Sequence, residues 1–120
     1  MFTIPVWDIL ASYTGDSKKF SFSGPIPDGY FADLRFTEDL HFDIAIIALD
    51  DGVEVVFRDL STTVIYEWQR HQIQIWDFER SFSTHYDPLE EMAGTHMIRH
   101  HMIDLAPILR EELIMACHEL

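Results

Sequence analysis

The chain has a single cysteine, Cys117, so its 120 residues can form no disulfide among themselves. That usage fits a reducing compartment. No apolar run approaches the roughly 18 residues that a membrane-crossing helix needs. The N-terminus lacks a basic stretch followed by an apolar one, so no secretory leader is expected and the protein is expected in the cytoplasm. Lys and Arg are scarce, 8 against 21 acidic side chains, and never run together beyond Lys18-Lys19. HExxH, G-x-S-x-G, P-loop and G-x-G-x-x-G patterns are all missing. Without them the sequence supplies no set of nucleophile, base and orienting group, and an enzyme is not expected.

What is present is a core. Hydrophobic residues make up 48% of the chain, with 9 Phe, 4 Tyr and 3 Trp, which excludes a disordered polar tail. The length suits one domain over residues 1–120, with no repeat, low-complexity tract or linker. The net charge of −13 repels nucleic-acid phosphates and attracts basic proteins. It also serves, more plainly, to keep an aromatic-rich chain in solution.

The pattern predicts mostly strands. Residues 5–13 read as a short helix started by Pro5, with Val6, Leu10 and Tyr13 at helical spacing. Phe20 and Phe22 alternate with polar neighbours as a strand does. Leu40, Phe42, Ile44 and Ile46 alternate next, then Val53, Val55 and Phe57, joined through Asp50-Asp51-Gly52 with Gly52 where φ can be positive. Further strands are expected at 62–68 and 71–82. In the second of these Ile73 and Ile75 share one phase, and Trp76, Phe78 and Phe82 the other, so a bulge or bend is expected near Trp76. Residues 83–96 read as a mobile polar loop, and 97–103 as a last strand. Consecutive strands with flanking helices predict an α+β class: an antiparallel β-sheet or half-barrel with a short N-terminal helix and a C-terminal amphipathic helix.

That terminal segment is the most particular part of the chain. Asp104 suits a helix cap and Pro107 an early helical position. Leu105, Leu109, Leu113, Ala116 and Leu120 then form one apolar stripe, with Arg110, Glu111 and Glu119 off it. The run Ile103-Asp104-Leu105, then Ile108-Leu109-Arg110-Glu111-Glu112-Leu113, resembles the closing segment of the YceD family, bacterial proteins linked to accumulation of the large-subunit 23S ribosomal RNA. The resemblance implies a β-rich core before that helix and a part in ribosome biogenesis. It is strongest over 103–115. Family members carry Cys-x-Arg-Cys at a strand end, where this chain reads Trp68-Gln69-Arg70-His71. The arginine is kept as Arg70 and both cysteines are replaced. By carry-over, Arg70, Asp104, Arg110 and Glu111 are the candidate binding residues. His71, Cys117 and His118 are the weak candidates for a metal, and a tetrahedral site lacks its fourth ligand. No cofactor is expected. Tyr66, Trp68 and Trp76 are expected to supply packing instead.

Other features leave alternatives open. His96, His100 and His101 lie close in sequence, and with His71 they define a second reading, a metal-binding or catalytic domain. On a strand, however, His100 and His101 point to opposite faces. Glu90-Glu91 and His85 sit in the polar loop, where solvation explains them. Arg58, Arg70 and Arg80 come from neighbouring strands and would make an RNA-binding face only if they converged. Direct RNA binding is otherwise disfavoured by charge. The reading that results is a non-enzymatic ribosome-assembly factor whose acidic surface binds a basic ribosomal protein or assembly factor. An interaction module unconnected with ribosomes is the third.

Overall fold

In the computed structural model of the protein, described over residues 1–84 and 96–119, two helices attach to a sheet system. The strands are β1 (Thr3–Pro5), β2 (Ser17–Gly24), β3 (Arg35–Phe36), β4 (Leu40–Leu49), β5 (Gly52–Tyr66), β6 (Gln69–Ser83), β7 (His96–Met97) and β8 (Met102–Asp104). The helices are α1 (Trp7–Leu10) and α2 (Ala106–His118). The main sheet runs β2-β4-β5-β6-β7 with β3 also on β5, and β1 pairs with β8 in a small second sheet. All pairings are antiparallel except β6 with β7.

The expected α+β class with a half-barrel is corrected. Strand accounts for 56% of the structure and helix for 16%, so the fold is mostly β, and its main sheet runs from β2 to β7 without closing. The physical reason lies in β5. The runs 53–57 and 62–68, read as separate strands, are one continuous strand of 15 residues, and β6 matches it. Val53, Val55 and Phe57 are buried on one phase, then Leu60, Thr62 and Val64 on the other. The switch comes at Arg58–Asp59, where β5 carries one more residue than β4 between the pairs His41↔Ser61 and Asp43↔Arg58. Asp59 takes φ 53° there, a bulge conformation that turns the strand over without ending it. On β6 the buried phase changes between Ile75 and Phe78 while its register with β5 runs unbroken, so the irregularity expected near Trp76 is the β5 bulge at Asp59 and not a bulge in β6.

β4 alternates buried and half-buried residues along most of its length. Its buried face joins a row of rings across the sheet: Phe22 with Phe42 at 5.6 Å, Phe42 with Phe57 at 5.8 Å, and Phe57 stacked on Phe78 at 4.4 Å. Over the same core lie Ile108, Leu109, Leu113 and Cys117 of α2 and Ile9 of α1. Leu120 and the segment read as a mobile loop, apart from its ends, lie outside the described residues. Gly52 does not use positive φ. It is glycine because a Cβ there would run into the Phe82 carbonyl of β6. The last strand expected over 97–103 is split by a turn at His100-His101, which hold φ at 54° and 57°. Phe2 O accepts from the Leu105 amide at 2.9 Å and His101 O from the Val6 amide at 2.8 Å, which ties the N-terminal strand to the start of α2.

Candidate functional site

The cations of this chain are mostly spoken for. Lys18 pairs with Asp8 and holds that carboxyl below its usual range. Arg70 reaches Glu38 at 3.3 Å, and Arg110 reaches Asp33 through Nη2 at 2.5 Å and Nε at 3.1 Å. Arg80 pairs with Glu112, with Glu111 at 3.9 Å. Arg58 stands in register between Asp43 of β4 and Asp77 of β6. Four of the eight Lys and Arg residues are thus in ion pairs and a fifth is flanked by carboxylates, while the acids outnumber them 21 to 8.

The arginines do not converge. Arg80 lies on the core side of β6, its guanidinium 5.6 Å from the Phe78 ring. Arg58 is opposite Asp77, and Arg70 is opposite Ile65. Residues 70 and 77 of one strand are separated by roughly 23 Å at about 3.3 Å per residue. The basic face left open by the sequence does not form.

Each carry-over residue has a separate role. Arg70 braces the exposed start of β6 against Glu38. Asp104 Oδ1 accepts from the Ala106 amide at 3.0 Å, the capping expected of it. Arg110 fastens α2 to the segment before β3, and Glu111 lies beyond Glu112 on the way to Arg80. The four residues lie on three elements, Arg70 on β6, Asp104 on β8, and Arg110 and Glu111 on α2.

Among the described residues no group of three His, Cys, Asp or Glu side chains is arranged to hold a metal ion. His71 is on β6 opposite Val64. His118 instead meets Tyr66, with Nε2 3.4 Å from the phenol oxygen and the rings edge to face at 5.4 Å. Cys117 is buried beneath α2 and its thiol is pushed up by desolvation, as an inert core thiol would be. His96 packs on Phe82 at 5.3 Å, and burial with nearby Arg80 lowers its pKa. His100 and His101 occupy the turn after β7. His41 lies 3.8 Å from Asp43 on β4. Glu90, Glu91 and His85 lie outside the described residues.

The tryptophans overturn the expectation of packing. Trp68 is 99% exposed and Trp76 73% exposed, while Tyr66 is half-buried. Trp68 sits with Glu67 in the two-residue turn joining β5 to β6, both at positive φ. Trp76 falls at the phase switch of β6, where its side chain leaves the core. The signal for this was in the sequence: an aromatic at a break in alternation need not belong to either face. Trp68 and Trp76 are thus large exposed aromatics, a residue type enriched where proteins meet.

Comparison with protein-family models, curated proteins and solved structures finds no match. No described helix is long and apolar enough to cross a membrane.

Proposed function

We propose that this protein is a non-enzymatic factor in large-subunit ribosome biogenesis that supports accumulation of 23S ribosomal RNA. It acts by presenting an acidic surface to a basic ribosomal protein or assembly factor. The observation that carries this reading is the pairing of the cations: with Lys18, Arg70, Arg80 and Arg110 tied to carboxylates, the charge left over is negative. Such a surface speeds encounter with a basic partner and selects it, and masks its charge until it docks. The resemblance of residues 103–115 to the YceD closing segment supplies the ribosomal context.

The test is a pull-down from cells at increasing salt, scored separately for ribosomal proteins and ribosomal RNA. Enrichment of a basic ribosomal protein, lost as salt screens charges over about 8–10 Å, supports the proposal. Tighter binding of bare 23S fragments than of any basic protein overturns the protein-partner mechanism. Capture of basic proteins with none from the ribosome favours an interaction module with another destination.

A further inference from the structure

Among the described residues the main sheet is unfinished at two strands, β2 and most of β6, and β6 is the longer. β5 covers one side of it along its whole length. On the other side, among the described residues, only β7 pairs with it, at Phe82 and Ser83. From Gln69 to Ser81 every second residue therefore turns its N–H and C=O away from β5, towards an unpaired edge. Proteins normally blunt such an edge. This one has no proline and presents Trp76 instead.

A groove runs between that edge and α2. Ile75, Trp76 and Asp77 line it from β6, and Glu112, Ala116 and Glu119 from the helix side. Gln74 completes its lining, so apolar Ile75, Trp76 and Ala116 are set among three carboxylates. One of these, Glu112, already holds Arg80, whereas Asp77, in register with Arg58, and Glu119 stand in no ion pair among the described residues. An edge strand facing a helix across an acidic groove suits an extended peptide, the added strand bonding through its backbone and placing alternate side chains in the groove.

We infer that this groove binds an extended, Lys- or Arg-rich segment of a partner protein, which adds to the sheet as a strand along β6. Charge chooses the occupant. A second copy of the chain would bring the same carboxylates face to face and join two bodies of net charge −13. A cationic segment meets Asp77 and Glu119 with opposite charge and lays an apolar side chain over Ile75 and Ala116, against the indole of Trp76. The inference rests on the acidic-surface reading above and deepens it by giving the partner's conformation and its place on the sheet.

The probe is a short end-capped peptide of alternating lysine and valine, titrated by Trp fluorescence and followed by amide hydrogen exchange. Binding is expected to slow exchange within Gln69–Ser83. N-methylation of the peptide's alternate amides, which keeps its charge but removes the strand's donors, is expected to weaken binding about tenfold, as are Ala116→Arg and Glu119→Arg. Asp50→Lys, at the distant β4–β5 turn, is expected to have little effect. Circular dichroism checks that the variants fold, and Glu119→Arg, on an exposed residue, keeps the test valid if Ala116→Arg does not. If the N-methylated peptide binds as well as its parent, or Asp50→Lys weakens binding as much as Glu119→Arg, edge docking is wrong while the acidic reading stands. If neither the peptide nor any basic ribosomal protein binds, both are wrong. Exchange already slow along the β6 edge in the free protein would show the edge to be covered, by a second copy if the protection grows with protein concentration, and would overturn the inference.

Discussion

Arg110 and Asp33 form a two-pronged ion pair, with Nε and Nη2 of the arginine donating to separate carboxylate oxygens at 3.1 and 2.5 Å. The pair joins α2 to the segment ahead of β3 across 77 positions of sequence. It gives part of the Arg-Glu-Glu run a role in holding the fold. Both side chains are partly exposed, so water and salt weaken the attraction. A double-mutant cycle with Arg110→Ala and Asp33→Ala should give a coupling of about 0.2–1 kcal/mol that shrinks in high salt. A salt-independent coupling well above that range would show that the pair is desolvated and a principal fastening of α2.

The stripe of α2 is a stronger fastening. Leu109 and Leu113 are fully buried. Either one changed to Ala should cost about 2–5 kcal/mol in chemical denaturation, lost transfer energy and a new cavity combined. A cost below about 0.5 kcal/mol would mean that the stripe is free to leave the sheet and is itself a binding surface.

The stripe was legible because helical periodicity is local, as was the alternation of β4. Other parts were not. The bulge at Asp59 inverts the phase of β5, so a single strand reads as two and the strand content is underestimated. The place of β6 at an edge depends on which strands pair, and nothing within the run from Gln69 to Ser83 encodes the absence of a neighbour. Of the carry-over positions, the cap made by Asp104 was legible, since it bonds two residues away. The partners of Arg70 and Arg110 were not, since each is brought close only by the folded sheet.

Metal dependence offers a direct check on His71, Cys117 and His118. His118 is turned to Tyr66, Cys117 is buried with its thiol held neutral, and His71 is on β6. Chelator should leave the melting temperature unchanged, and added zinc should not raise it. A fall on chelation, reversed by zinc, would show that these residues gather around a metal after all.

His96 sets a pH dependence with a definite sign. Burial first, and then the Arg80 charge, lower its pKa in the folded state, with Glu111 opposing. Between that lowered value and the unfolded one of about 6.5, the unfolded chain binds more protons. Stability is therefore present above about pH 6.5 and declines as pH falls through and below it. Asp8 loses stability on acidification as well, since its folded pKa is lowered by Lys18, so the wild-type curve alone does not isolate the histidine. The informative quantity is the difference between wild type and His96→Phe, measured from pH 7.5 to 5. The variant should lose less on acidification, and parallel curves would mean that His96 titrates as it does in the unfolded chain.

The turn at the end of the long hairpin provides the clearest separation of folding from function. Glu67 and Trp68 hold φ at 51° and 67°, values that cost a side-chain-bearing residue roughly 1–2 kcal/mol over the ordinary region. A two-residue turn of this kind favours asparagine followed by glycine, since both centres need positive φ. Trp68 returns almost nothing in packing, being 99% exposed. Replacing the pair by Glu67→Asn with Trp68→Gly should therefore stabilise the protein by about 1 kcal/mol or more, read as a higher denaturation midpoint at unchanged slope. Glycine also loosens the unfolded chain, which sets the gain at the lower end of what the relieved backbone alone would give. A rise in stability would mean that an indole is kept at this tip at the expense of the fold, as a surface that meets a partner requires. A fall would mean that Trp68 packs on its own hairpin in solution, and the tip would then be structure and no contact point.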